Sequence, residues 1–144
     1  MLRRALLAAS LLALAAVAPA VQAAASVRVD PDGDGRYRAA GRIGSVGFRF
    51  LLDTSAPLVL LSAADARRAG IDYRRGMRIQ VAVGGRPLPA YRVVLPRVAL
   101  GAIELAEVPA AVVEGATSPT LGLSFLGRLQ IRQQGRSMVL EQVR

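Results

Sequence analysis

One acid stands apart in the chain: Asp53, within Phe50-Leu51-Leu52-Asp53-Thr54-Ser55-Ala56. Between Phe48 and Leu61 the only polar side chains are Arg49, Asp53, Thr54 and Ser55. A carboxylate carried into apolar surroundings either protonates or finds a partner, because its charged form is costly to desolvate. Such an acid is suited to taking and giving protons, and acids of this kind gather at functional sites. The plainer reading is an Asp that closes a strand-to-loop turn, with Thr54 and Ser55 as ordinary turn residues.

Composition narrows the chemistry open to this acid. The 144 residues include no Cys and no His. Ser-His and Cys-His nucleophile pairs and the common zinc ligand sets are therefore excluded, and so is any disulfide framework. Acid-base work must rest on Asp, Glu or Tyr, since the 19 basic residues are all Arg. A second candidate, Asp30-Pro31-Asp32-Gly33-Asp34-Gly35, imitates the start of a calcium loop. Its twelfth position is Gly41, where such a loop needs a bidentate Glu, and Arg36 and Arg38 crowd it with positive charge. It reads as a turn, and no metal or cofactor is expected.

Residues 1–25 read as a targeting segment. Arg3 and Arg4 precede an apolar run from Ala5 to Ala18 broken only by Ser10, and Val21-Gln22-Ala23 fits a small-x-small cleavage site. The run is short for a membrane span, which needs about 20 residues, although an uncleaved N-terminal anchor stays open. Either way the remainder, residues 26–144, is expected outside the cytoplasm, periplasmic or secreted or tethered to the membrane. Removing 23 of 144 residues leaves 121, enough for one domain with a real core. The formal charge is +9, and +7 without Arg3 and Arg4. Aromatic residues are only 4%, so no stacking platform for nucleic acid is expected. The basic surface suits an anionic envelope or acidic partner, or is simply solvated.

The elements that must position Asp53 are mostly strands. Tyr37 to Ile43 and Val46 to Leu52 form a hairpin around Gly44-Ser45 that leads into Asp53. Pro57 enforces a loop, and Leu58 to Leu61 resumes as a short strand. Ser62 caps a helix, Asp65 lies in its first turn, Gly70 ends it and Ile71 seals it. Met77 to Val83 and Leu88 to Leu95 flank Gly84-Gly85-Arg86-Pro87, a hairpin signal. Arg97 to Val113 reads as short strands and turns. Leu121-Gly122-Leu123 reads as buried, Ser124 to Leu129 as one or two helical turns, and Ile131 to Leu140 as a last hairpin.

In this order the segments resemble the retropepsin-like aspartic proteases, most closely exported or membrane-anchored bacterial members, over about residues 35 to 142. Phe50-Leu51-Leu52-Asp53-Thr54-Ser55-Ala56 is similar to the family's hydrophobic D-T-G-A motif. Leu60 to Ile71 is similar to the segment that follows it. Leu121-Gly122-Leu123-Ser124-Phe125-Leu126-Gly127-Arg128-Leu129 is similar to the family's L-G-M-S-F-L-x-R-L segment.

The resemblance implies an all-β, small closed barrel-like acid protease fold with one short helix and a flap hairpin. It implies a peptide or protein substrate, and a homodimer that pairs two copies of Asp53 to activate water. Thr54, Ser55 and Ala56 would support the acid, with Thr54 reaching across the dimer axis. Val83, Gly84 and Gly85 would form the flap over substrate. Leu121 and Gly122 would pack under the site, and Met138 to Leu140 would join the dimer sheet. Ser55 replaces the motif's Gly, and Val81-Ala82-Val83-Gly84 replaces a polar T-A-N-G flap. The alternative reading is therefore an inactive retropepsin-like domain with a binding or structural role in the envelope. A third is a β-rich domain with no acid pair at all.

Overall fold

The structure is a computed structural model that describes residues 12–19 and 24–143. Arg3, Arg4 and the Val21-Gln22-Ala23 cleavage pattern lie outside the described residues. Residues 12–19 carry no regular secondary structure, and Leu12, Leu14 and Val17 are exposed. No helix among the described residues is long and apolar enough to cross a membrane.

Ten strands and two short helices follow. In chain order they are β1 (Ser26–Val29), β2 (Arg38–Ile43), β3 (Val46–Leu52), β4 (Val59–Ser62), α1 (Ala63–Arg68) and β5 (Met77–Val83). Then come β6 (Arg86–Leu100), β7 (Ile103–Val113), β8 (Thr120–Leu121), α2 (Leu123–Leu126), β9 (Leu129–Gln134) and β10 (Ser137–Gln142). A 3-10 turn spans Tyr73–Arg75. The expectation of one short helix is thus corrected to two, since Leu123–Leu126 completes its own turn behind Gly122.

The main sheet runs β2-β3-β8-β4-β7-β6-β5, and β2 also pairs with the far end of β6. That extra pairing, Gly41↔Leu100 to Ile43↔Val98, closes the ladder into a circuit of six strands. Phe50, Leu61, Leu95, Leu100, Leu121, Phe125 and Leu140 are fully buried inside it. Strand β3 shows why one face of the sequence is so apolar. Phe48, Phe50 and Leu52 point to the core, while Arg49 on the other face meets Asp32 at 3.3 Å.

Local sequence sets α1 as expected. The Ser62 hydroxyl accepts from the Asp65 N–H at 3.0 Å. At the other end Ile71 N–H reaches the Ala66 carbonyl and Gly70 N–H reaches that of Arg67, the paired bonds of a Schellman end. Arg97 to Val113 departs from the sequence reading. It is one long hairpin, β6 to β7, not several short strands. Pro87, Pro89, Pro96 and Pro109 break the apolar pattern without breaking the ladder. The register skips only the Pro96 and Glu107 pair, where Pro has no N–H to give and Glu107 takes φ 52°.

A second sheet, β1-β10-β9, is antiparallel throughout, with β10 in the middle. Met138 to Leu140 lie in this central strand. Both edges of β10 are already hydrogen-bonded within the chain, so the open edges belong to β1 and β9.

Candidate active site

Asp53 follows the last residue of β3 and is fastened on both sides. Its N–H donates to the Leu121 carbonyl at 3.0 Å, and its carbonyl accepts from Ala56 N–H at 3.3 Å. The preceding residue, Leu52, donates to the Tyr37 carbonyl at 2.9 Å. Two distant segments and the loop itself therefore fix the backbone at the acid. The side chain is half-buried, not fully enclosed as the apolar setting suggested.

Its carboxylate has two donors. Ser55 N–H reaches Asp53 Oδ1 at 2.9 Å and the Ser55 hydroxyl reaches the same oxygen at 2.5 Å. Both bonds come from a residue two positions on, so the loop folds back upon its own acid as an Asx turn does. No φ in the left-handed region occurs at Ser55, since Glu107 alone among described non-glycine residues has one. The Cβ and hydroxyl in place of the motif's Gly thus meet no backbone strain here. Oδ2 has no hydrogen-bond partner among the described residues. Thr54 is exposed and its hydroxyl has no hydrogen-bond partner among the described residues, while Ala56 is buried.

Leu121 and Gly122 lie directly behind this loop. Leu121 is fully buried. A Cβ at Gly122 would stand 2.3 Å from the Leu58 carbonyl oxygen and 2.5 Å from that of Ala56. Only a residue without a Cβ lets the two backbones approach so closely. Leu123 N–H then donates to Ala56 O at 2.8 Å, and Ser124 N–H to Pro57 O at 3.0 Å. Leu123 itself is exposed, which corrects the reading of 121–123 as wholly buried. The Ser124 hydroxyl accepts from Val59 N–H at 3.0 Å and donates to Pro109 O at 2.6 Å, tying α2 to β4 and β7. This clamp was not singled out from sequence, although Ser124 stands inside the motif that marked the segment.

Across from the acid stands the β5–β6 hairpin. Its two-residue turn has φ 58° at Gly84 and 76° at Gly85, as a tight primed turn requires. β7 ends its pairing at Val113↔Ala90, so residues 80–89 pair only with one another and project freely. Pro87 and Pro89 fit because that edge of β6 has no further strand to satisfy. Val81 and Val83 turn toward a small apolar cluster of Ala56, Leu60, Ala90, Ala111 and Val113. The apolar flap sequence is therefore matched by an apolar wall beneath it.

Between loop and hairpin lies a cleft of about 720 Å3. Asp53, Ser55 and Ala56 line one side, and Val83, Gly84 and Gly85 the other. Arg36, Tyr37, Thr117, Ser118 and Thr120 also line it. Sequence reasoning missed these five, because strand pairing and long-range folding bring them to the site and no local motif marks them. No group of three or more potential metal ligands occurs among the described residues. In the calcium-like turn, Arg38 itself takes the place of a cation, at 2.7 Å from Asp32 and 3.2 Å from Asp34.

An all-β closed ladder that holds one acid at a strand end, beneath a projecting hairpin, defines the scaffold of a small acid protease. Residues 39–128 match the family described as "gag-polyprotein putative aspartyl protease". The chain belongs to that family. Among solved structures it is similar to a retropepsin-like aspartic protease from Rickettsia conorii, with TM-score 0.70 at 22% identity. That match covers 82% of this chain and 91% of the other. No curated protein is similar enough to count as a match.

Proposed function

We propose that the protein is an aspartic endopeptidase that works as a homodimer and uses two copies of Asp53. The observation that carries this reading is the cleft itself. A carboxylate with one oxygen tied by Ser55 and the other unpartnered faces a free hairpin across room for a peptide.

One chain supplies one such loop, so a two-fold axis through it supplies the second acid. Two carboxylates about 3 Å apart share one proton. The ionised member takes a proton from water as the water attacks the scissile carbonyl, while the protonated member donates its proton to the carbonyl oxygen. The proton taken from water then passes to the leaving amine as the C–N bond breaks, and the diol hydroxyl returns a proton to the pair as it collapses to the acid. The exposed Thr54 hydroxyl is free to bond across the axis. The 84–85 turn closes over the substrate and limits water. An extended peptide would run beneath it as an added strand.

The rival reading, a silenced binding domain, rests on Ser55. Its ordinary backbone and its bonds to Asp53 support a working loop. We further propose export, from the basic and apolar residues 3–18, with the N-terminal segment either cleaved near Ala23 or kept as an anchor. N-terminal sequencing of protein from the envelope fraction distinguishes these, and intact protein in the cytosol overturns both.

The test of activity is hydrolysis of an unfolded peptide library by purified protein at mildly acidic pH. Wild type cleaves and Asp53→Asn does not. Equal cleavage by the Asn variant overturns the proposal, as does no cleavage by a folded, dimeric wild type.

A further inference from the structure

Arg36 is the one cation among the residues that line the Asp53 cleft, and Asp53 is their one acid. Its backbone is held on both sides. The Arg36 carbonyl accepts from Asp32 N–H at 2.7 Å, and its N–H donates to Asp34 Oδ1 at 3.1 Å. Its neighbour Tyr37 is fastened to Leu52, the residue before Asp53, and its hydroxyl donates to the Arg136 carbonyl at 2.8 Å. The Arg36 guanidinium, in contrast, forms no ion pair or hydrogen bond among the described residues. The nearby acids Asp32 and Asp34 are engaged by Arg38.

A fixed backbone with an unengaged guanidinium makes a receptor for a planar anion. The fork of Arg matches a carboxylate with two parallel N–H bonds. Residues 54–62, which follow Asp53 in a symmetric partner's loop, contain no Asp or Glu, and in the dimer the partner's Asp53 is taken up by the acid pair. The remaining wall is apolar or neutral.

From this placement we infer that Arg36 selects the substrate: the cleft prefers peptides that carry Asp or Glu at a position flanking the scissile bond. The inference rests on the peptidase reading of the same cleft, and deepens it by naming the substrate class. The acidic side chain meets Arg36 while small apolar side chains lie against Ala56, Leu60 and Val83.

Binding tests this without requiring turnover. Peptides built on a non-cleavable isostere of the scissile amide carry Glu, Gln or Lys at each flanking position in turn. Wild type, Arg36→Gln, Arg36→Lys and Arg36→Glu are titrated with them. At one position the Glu peptide binds wild type about tenfold or more tightly than the Gln peptide, the low end of one charge-assisted hydrogen bond. Arg36→Gln loses the preference, Arg36→Lys keeps it in part, and Arg36→Glu reverses it toward Lys. An unchanged Glu-to-Gln ratio in Arg36→Gln, or no preference at any position, or no binding of any isostere, overturns the inference. Arg36-dependent binding without cleavage of any natural peptide leaves this preference standing and removes the peptidase reading. Asp53-dependent cleavage that ignores the flanking charge does the reverse.

Discussion

Ser55 decides how the acid at position 53 is presented. Where the related motif has Gly, this chain places a hydroxyl 2.5 Å from Asp53 Oδ1, beside its own N–H at 2.9 Å. The N–H bond survives any substitution that keeps the loop, whereas the hydroxyl bond does not. A hydrogen bond to a charged group contributes about 1.5 to 3 kcal/mol. Ser55→Ala should therefore fold, keep KM, and lose roughly tenfold in kcat at the low end of that range. A gain of activity in Ser55→Ala or Ser55→Gly would show instead that the hydroxyl restrains the site. Asp53 and its neighbours were legible in the sequence because one acid in a long apolar run is a local signal. Its exposure was not. The run alternates between a core face and a cleft face, and only the fold shows that the acid ends on the cleft side.

The elements around Asp53 work by close backbone approach. Gly122 brings the segment before α2 against Ala56 and Leu58, with carbonyl oxygens on two sides of any added Cβ. Gly122→Ala should cost about 3 kcal/mol or more, since neither backbone can yield like a flexible side chain. A melting temperature within a degree or two of wild type would contradict that clamp. The flap turn differs, because nothing stands within 4 Å of a Cβ at Gly84. Gly84→Ala meets only the cost of a left-handed backbone, about 1 to 2 kcal/mol. It should lower kcat/KM, with the melting temperature falling by several degrees but less than in Gly122→Ala.

The Asp32–Arg38 turn links an element to pH. The Asp34 carboxyl is held below the usual carboxylate range, first by the Arg36 backbone N–H and then by Arg38. A folded-state value below the unfolded one contributes stability that is complete above about pH 4 and is lost as pH falls through the lowered value. Asp34→Asn should lower the neutral plateau of a melting-temperature profile and so flatten its acid limb, with little change at the acid end. An unaltered acid limb would contradict the assignment. Helix ends and the glycine-tipped hairpin were legible in the sequence, since Ser62, Gly70 and Gly84-Gly85 act through their immediate neighbours. The β6–β7 hairpin was not, because four prolines fragment its pattern while the pairing that restores it is non-local. The pairing of β1 with β10, more than a hundred residues away, left no sequence signal either.

At the scale of the whole molecule, a half-buried acid with an unpartnered oxygen, an exposed Thr54 and open edges on β1 and β9 all face outward from one chain. A homodimer that completes the site should lose specific activity on dilution below its dissociation constant, with sedimentation showing the matching shift to monomer. Activity proportional to concentration throughout that shift would place both acids' work in a single chain. The sequence implied the pairing only through counting, because one motif in one domain leaves the second acid to another copy. The most direct measurement mixes wild type with increasing Asp53→Asn at fixed total concentration and allows the subunits to exchange. Paired Asp53 chemistry predicts that cleavage falls as the square of the wild-type fraction. A fall in simple proportion to wild type would contradict the shared site.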